Sequence, residues 1–178
     1  MNNTDRIARL AQKLHWVTAF FLFALPVALF LGLISTGLDK DLFLDSIEYV
    51  NIQSEISYLQ IWLCIGLEGL ILIAIIYTLE QMRRLFSQFA KRHIFDFVTA
   101  DIISKVGIGL LVIVAMAVSI HTVQVLVLTW TNPPGQTALS LEIDDSDIGF
   151  LLSAGLLMII GWAMRDAATL AAENQEFI

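Results

Sequence analysis

The chain has 178 residues, of which 57% are hydrophobic and only 15% charged, and its mean hydropathy is +0.77. This composition excludes an ordinary soluble globular domain, in which about a quarter of the residues are charged. The formal net charge is −7, and no basic stripe of the kind that binds nucleic acid occurs outside residues 83–105. The single cysteine, Cys64, excludes an intrachain disulfide.

Four long apolar stretches follow one another along the chain. Each can cross a hydrocarbon core of about 30 Å, which takes roughly 20 helical residues. The first exceeds the about 7–15 apolar residues of a signal peptide, so we expect it to remain as a span. The pattern predicts one membrane domain over 1–178, an all-α integral membrane four-helix bundle. Its spans are expected at about 14–35, 57–79, 102–129 and 148–170.

The basic residues are distributed unevenly between the loops. Every Lys and Arg except Lys40 lies before the first span, between or at the ends of the second and third, or at the end of the fourth. Because Lys and Arg are enriched in cytoplasmic loops, both termini and the central loop are predicted to be cytoplasmic, an N-in/C-in topology.

The first span carries small residues at helical spacing. Ala24, Ala28 and Gly32 recur every four residues, a spacing that lets membrane helices approach closely. Pro26, near mid-span, is expected to kink the helix or to mark a neighbour that satisfies the freed carbonyl. A short interfacial helix is predicted in the following loop, where three apolar residues share a helical face: Phe43, Ile47 and Val50.

The second helix is predicted to extend past its span into the cytoplasm, because residues 78–91 include no Gly or Pro. Glu80 can pair there with Arg83 or Arg84. The basic residues of this region can hold anionic lipid headgroups, at about 1 kcal/mol each, but the charge asymmetry that sets topology explains them equally well. The candidate headgroup contacts are Arg83, Arg84, Lys91 and Arg92.

The last two spans are bounded by recognisable end signals. Trp130 is expected at the outer interface, and the Pro-Pro-Gly sequence at 133–135 predicts a turn. Asp147 is a good N-cap for the fourth span. Asp and Glu are the main charged residues of both outer loops. They can simply keep the loops hydrated, or they can weakly attract cations to this side of the protein. Small residues on the fourth span are expected to contact other helices: Ser153, Gly155 and Gly161.

Glu68 lies near the middle of the second span, where an ionisable side chain costs several kcal/mol unless something compensates it. Gln60 and Cys64 precede it at intervals of four residues, so the three side chains line one helical face. On the third span, His121 and Gln124 share a face with Ala117. If these faces meet, Glu68 and His121 can hydrogen-bond directly or through water.

Three interpretations of these polar residues stay open. They can hold helices together by hydrogen bonds, a common arrangement in membrane proteins. They can form a proton- or cation-linked site in which Glu68 titrates and His121 acts as a relay. They can also ligate a metal through Cys64, His121 and Glu68, or a tetrapyrrole through His121, although no motif spacing supports this.

Short motifs in the second half of the chain resemble those of a bacterial inner-membrane family. They are Leu85-Phe86-Ser87-Gln88-Phe89-Ala90, Ile94-Phe95, Thr99-Ala100-Asp101, Gly107 and the tail Glu173-Asn174-Gln175-Glu176-Phe177-Ile178. In this pattern the chain resembles the four-span family called domain of unknown function 2975, mainly over residues 80–178. The chain departs from it at Lys91-Arg92-His93, where the family commonly has a Gly before the Phe turn. The resemblance implies a multi-pass protein of the bacterial inner membrane, and it implies no activity.

No nucleophile elbow, phosphate-binding glycine motif or zincin pattern occurs in the sequence. We therefore expect no catalytic, cofactor or metal residues, and a small non-enzymatic membrane protein that acts as an accessory, sensory or regulatory subunit. Its expected partners are membrane lipids and either another protein or further copies of itself, but no nucleic acid. The alternative is an oligomeric proton- or cation-linked channel or transporter that uses Glu68.

Overall fold

The protein is all-α in the computed structural model, which describes residues 3–46, 55–133, 137, 139–141 and 143–176. The four long helices are each long and apolar enough to cross a membrane, and each predicted span coincides with one of them, the second starting at the N-cap of its helix. The helices are α1 (Asn3–Leu38), α2 (Lys40–Ser46), α3 (Tyr58–Ala90), α4 (Phe97–Thr129) and α5 (Asp145–Glu176).

The helices are longer than the predicted spans. α1 runs through Pro26 without interruption, and α3 continues to Ala90, as the absence of Gly and Pro predicted. α5 begins at Asp145, so the prediction that Asp147 precedes the helix as its N-cap is wrong. Asp147 lies instead in the first turn, where its carboxylate accepts the backbone N–H of Asp144 at 3.1 Å. This contact is one half of a capping box.

The four long helices pack as an open bundle in chain order. α1 packs on α3, α3 on α4 and α4 on α5, and no other pair of long helices makes more than marginal contact within the described residues. Neighbouring helices are antiparallel: Asp5 near the start of α1 pairs with Arg92 just after α3, N–O 2.6 Å. α1 and α5 therefore form the two edges of a row, and each has only one long neighbour.

Small residues decide how closely α4 approaches its neighbours. A Cβ added at Gly161 of α5 would lie 2.9 Å from the backbone nitrogen of Ser104 and 3.0 Å from the carbonyl of Ala100. A Cβ at Gly107 would lie 2.8 Å from the carbonyl of Ala154. The predicted close contact at Gly161 is thus confirmed, and α4 and α5 touch backbone to backbone.

Other small residues face open space. A Cβ at Gly32 or Gly155 would meet nothing within 4 Å, and Ala28 and Ser153 are exposed. Within the described residues, Gly32 and Gly155 therefore make no close contact with another helix of this chain. The physical reason is the open row, which leaves these faces of α1 and α5 without a neighbour.

The short helix α2 confirms the helix predicted in the loop after the first span. The carboxylate of Asp39 accepts the backbone N–H of Asp41 at 3.0 Å and so caps its start. Phe43 is only 4% exposed and packs with Ile61 and Leu128, so α2 covers the adjoining ends of α3 and α4. Ile47 and Val50, which were predicted to share its face, lie outside the described residues.

The turn between α3 and α4 is built by Lys91, Arg92 and His93. Lys91 caps α3, and Arg92 follows with φ 67°, in the left-handed region. The N–H of His93 donates to the carbonyl of Gln88, and that of Arg92 to the carbonyl of Phe89, both at 3.1 Å. This pair of bonds is a Schellman motif, whose left-handed position glycine usually occupies.

We expect Arg92→Gly to raise the free energy of unfolding by about 1 kcal/mol, because a side chain in the left-handed region costs roughly that amount. The exposed ion pair with Asp5 contributes at most about 1 kcal/mol, so the comparison is made in an Asp5→Asn background. Unfolding in mixed detergent micelles measures the change. Lys91→Gly, at φ −81°, is the control and should destabilise; equal effects of the two glycines would contradict the prediction.

Candidate functional site: a polar cavity between the central helices

Gln60 joins the beginning of α3 to the end of α4. Its Oε1 accepts the backbone N–H of Ser57 at 2.8 Å, and the Ser57 side chain completes the capping box of α3. Its Nε2 donates to the carbonyl of Val127 at 2.9 Å, near the last turn of α4. Carbonyls there lack helical partners, so one side chain satisfies groups at two helix ends. Gln60 is 1% exposed and links two helix ends, so its role is structural. Its helical spacing had instead grouped it with Cys64 and Glu68 as a candidate polar site.

Glu68 faces α4, as the shared polar faces predicted. The Nε2 of Gln124 donates to the Oε1 of Glu68 at 2.9 Å and to the backbone carbonyl of Cys64 at 3.3 Å. The carboxyl is therefore held by a neutral amide that also contacts the backbone of α3. The sequence had singled out His121 as the candidate partner, but Gln124 lies almost one turn further along α4 and reaches Glu68 in the structure.

A cavity of about 400 Å³ opens beside this hydrogen bond. Apolar residues of α3 and α4, among them Ile71 and Ala117, form part of its wall. His121 lines it together with Glu68 and Gln124, so the structure brings these three predicted residues to one site. Its polar lining consists of Glu68, His121, Gln124, Asp144 and Asp147.

The two aspartates of this cavity come from the beginning of α5 and were not predicted to belong with Glu68. In the sequence they belong to the acidic run before the fourth span. That run was predicted to be either a hydrated surface or a region that weakly attracts cations. The distance along the chain hides their relation to α3, and only the packing of α5 on α4 brings them to the cavity. Three carboxyl groups and an imidazole in one cavity can attract a cation or exchange protons.

Cys64 lies apart from this polar lining. It is 3% exposed and packs with Phe43, Ile61 and Leu128. Within the described part of the chain, no group of three or more His, Cys, Asp and Glu side chains is arranged to hold a metal. The grouping of Cys64, His121 and Glu68 as metal ligands therefore gains no support.

The basic residues at the other end of α3 separate into two groups. Arg83, Arg84 and Lys91 line one cavity, which Lys105 of α4 also lines. Arg92 lies elsewhere, against the start of α1, in its pair with Asp5. Glu80 accepts from the Nε of Arg83 at 2.7 Å and from that of Arg84 at 2.8 Å, so both predicted pairs are confirmed.

The fold and the composition define the class: four candidate membrane-spanning helices in a bundle indicate a multi-pass membrane protein. No family model, no curated protein and no solved structure matches the chain. The resemblance to domain of unknown function 2975 therefore stays a prediction from short motifs.

Proposed function

We propose that this protein is a small non-enzymatic subunit of the bacterial inner membrane that works by binding other membrane components, in an accessory, sensory or regulatory role. Both termini and the extension of α3 lie in the cytoplasm in this proposal. The clustering of basic residues where the start of α1 meets the α3–α4 turn supports that orientation, and the acids of α2 and the start of α5 lie at the opposite end.

The open row of helices carries the proposal. A closed four-helix bundle gives every helix two neighbours, whereas α1 and α5 here have one long neighbour each within the described residues. Gly155 on α5 is exposed and has open space beside it. Small residues of this kind allow a further helix to approach closely in a membrane, where tight packing rather than apolar burial drives association.

Purification of the full chain in a mild detergent, followed by native mass spectrometry and identification of bound proteins, tests the proposal. We expect a complex, either with a second protein or between copies of this chain, and we expect Gly155→Leu to dissociate it. Gly66→Leu is the matched control, because Gly66 is also exposed with open space beside it but lies on α3. A wild-type protein that remains monomeric and bound to no other protein would contradict the proposal.

A second candidate function is proton- or cation-linked transport by an oligomer. The observation that favours it is the cavity in which Glu68 and His121 lie together with Asp144 and Asp147. An acid within a membrane span commonly marks an ion or proton pathway.

For this second function we expect Glu68→Gln to abolish proton or cation flux in liposomes, because the amide keeps the shape of the side chain but cannot exchange a proton. A fluorescent pH indicator or a trapped cation dye measures the flux. Asp166→Asn, an exposed change on α5 away from the cavity, should leave it intact. Equal flux in wild type and Glu68→Gln, or no flux in either, removes the transport function.

A further inference from the structure

A second polar cavity, of about 390 Å³, lies between the last turns of α3 and the first turns of α4. It begins just past residue 79, the predicted end of the second span, so it lies at the depth of the lipid headgroups if the span is as predicted. Two helices contribute cations to it. The charged and amide side chains that matter for its chemistry are Gln81, Arg83, Arg84, Lys91, Asp101 and Lys105.

The charge of this cavity is positive after all ion pairs are counted. Asp101 pairs with Lys105 at 2.7 Å, and Glu80 is shared by Arg83 and Arg84. Four cations against two carboxylates leave a net charge of two positive. Glu80 also fixes the orientation of both guanidinium groups, whose remaining N–H groups are free to bind an anion because each guanidinium carries five donors.

Gln81 adds a neutral hydrogen-bonding group to the cavity. Its side chain lines the cavity but is only 6% exposed, and the structure shows no hydrogen bond for its carboxamide within the described residues. The carboxamide is accessible from the cavity, and its NH2 group carries two donors. A donor amide next to a cluster of cations is suited to an anionic oxygen.

We propose that this cavity binds a phosphate group with net negative charge, held by Arg83, Arg84, Lys91 and Lys105 and by the amide of Gln81. The charge asymmetry of membrane topology requires basic residues on this side, but it does not require that basic residues of two helices line one cavity together with an amide. The depth of the cavity favours the headgroup of an anionic lipid, and a soluble phosphate has the same chemistry. The site is independent of the proposed subunit function.

Binding is tested with the full chain in detergent micelles. One arm adds dimyristoyl phosphatidic acid or, as the zwitterionic comparison, dimyristoyl phosphatidylcholine, and counts bound lipid by native mass spectrometry. The other arm titrates inorganic phosphate and follows thermal unfolding. Selective retention of phosphatidic acid identifies a lipid site, and stabilisation by inorganic phosphate identifies a soluble source; either result supports the phosphate site if the variants below respond as stated.

Lys105→Gln is expected to weaken binding about five-fold, the effect of removing one cation near the headgroups. Gln81→Leu should weaken it without changing the charge. Arg92→Gln is the matched control, because it removes one positive charge from the same loop but lies outside the cavity. The proposal is overturned if neither phosphatidic acid nor phosphate binds, or if Arg92→Gln weakens binding as much as Lys105→Gln.

Discussion

Gly161→Ala is expected to lower the free energy of unfolding by about 1–3 kcal/mol, the usual cost of an overpacked contact. The added methyl group would lie 2.9 Å from the backbone nitrogen of Ser104 and 3.0 Å from the carbonyl of Ala100. Backbone atoms of α4 cannot turn aside as a flexible side chain can, so α5 must move away from α4. Unfolding in mixed detergent micelles measures the loss.

The matched control lies on the same helix. Gly149→Ala adds the same methyl group where nothing lies within 4 Å. Because alanine has a helix propensity about 1 kcal/mol better than glycine, this change should leave stability equal or raise it. If both alanines had the same effect, close packing at Gly161 would not be what holds α4 and α5 together.

The second large effect is expected at Gln60. Gln60→Leu introduces an apolar side chain of similar size and removes the bonds to the Ser57 N–H and the Val127 carbonyl. Loss of the glutamine half of the capping box, together with two part-buried polar groups left unsatisfied, should cost about 2–3 kcal/mol. Helix content by circular dichroism and unfolding in mixed micelles give the two readouts.

Ser57→Ala separates the two roles of Gln60. It removes the serine half of the capping box at a cost of about 1 kcal/mol and leaves the bond between Gln60 and Val127 in place. The excess destabilisation of Gln60→Leu over Ser57→Ala therefore reports the link between α3 and α4. A Gln60→Leu protein no less stable than Ser57→Ala would mean that this link contributes nothing.

For the polar residues of α3, the sequence predicted a shared helical face but not the surroundings of each side chain. Helical spacing placed Gln60, Cys64 and Glu68 on one face of α3, and they do turn toward α4. Their environments differ because a face extends over several turns: Gln60 reaches the helix ends, Cys64 enters an apolar cluster, and Glu68 borders a cavity. Spacing along one helix carries no information on what lies opposite each turn.

The basic residues of the α3–α4 region separate in the same way. Composition grouped Arg92 with Lys91, but the left-handed turn directs Arg92 toward Asp5 of α1. Lys105 was not among the predicted headgroup contacts and lines the cavity with Arg83 and Arg84. A turn only a few residues long reverses the chain, so neighbours in sequence lie on different sides of the protein.

The sequence by itself determined the all-α class, the four candidate spans, the helical extension after the second span and the position of Glu68 within that candidate span. Those features depend on apolar length, on the absence of helix breakers and on local charge, all of which are read along one segment. Only the tertiary structure decided that the helices form an open row, that Gln124 holds Glu68, and that Asp144 and Asp147 line its cavity. These features depend on which helix faces meet, and that choice is made by close contacts such as the one at Gly161, between residues far apart in the chain.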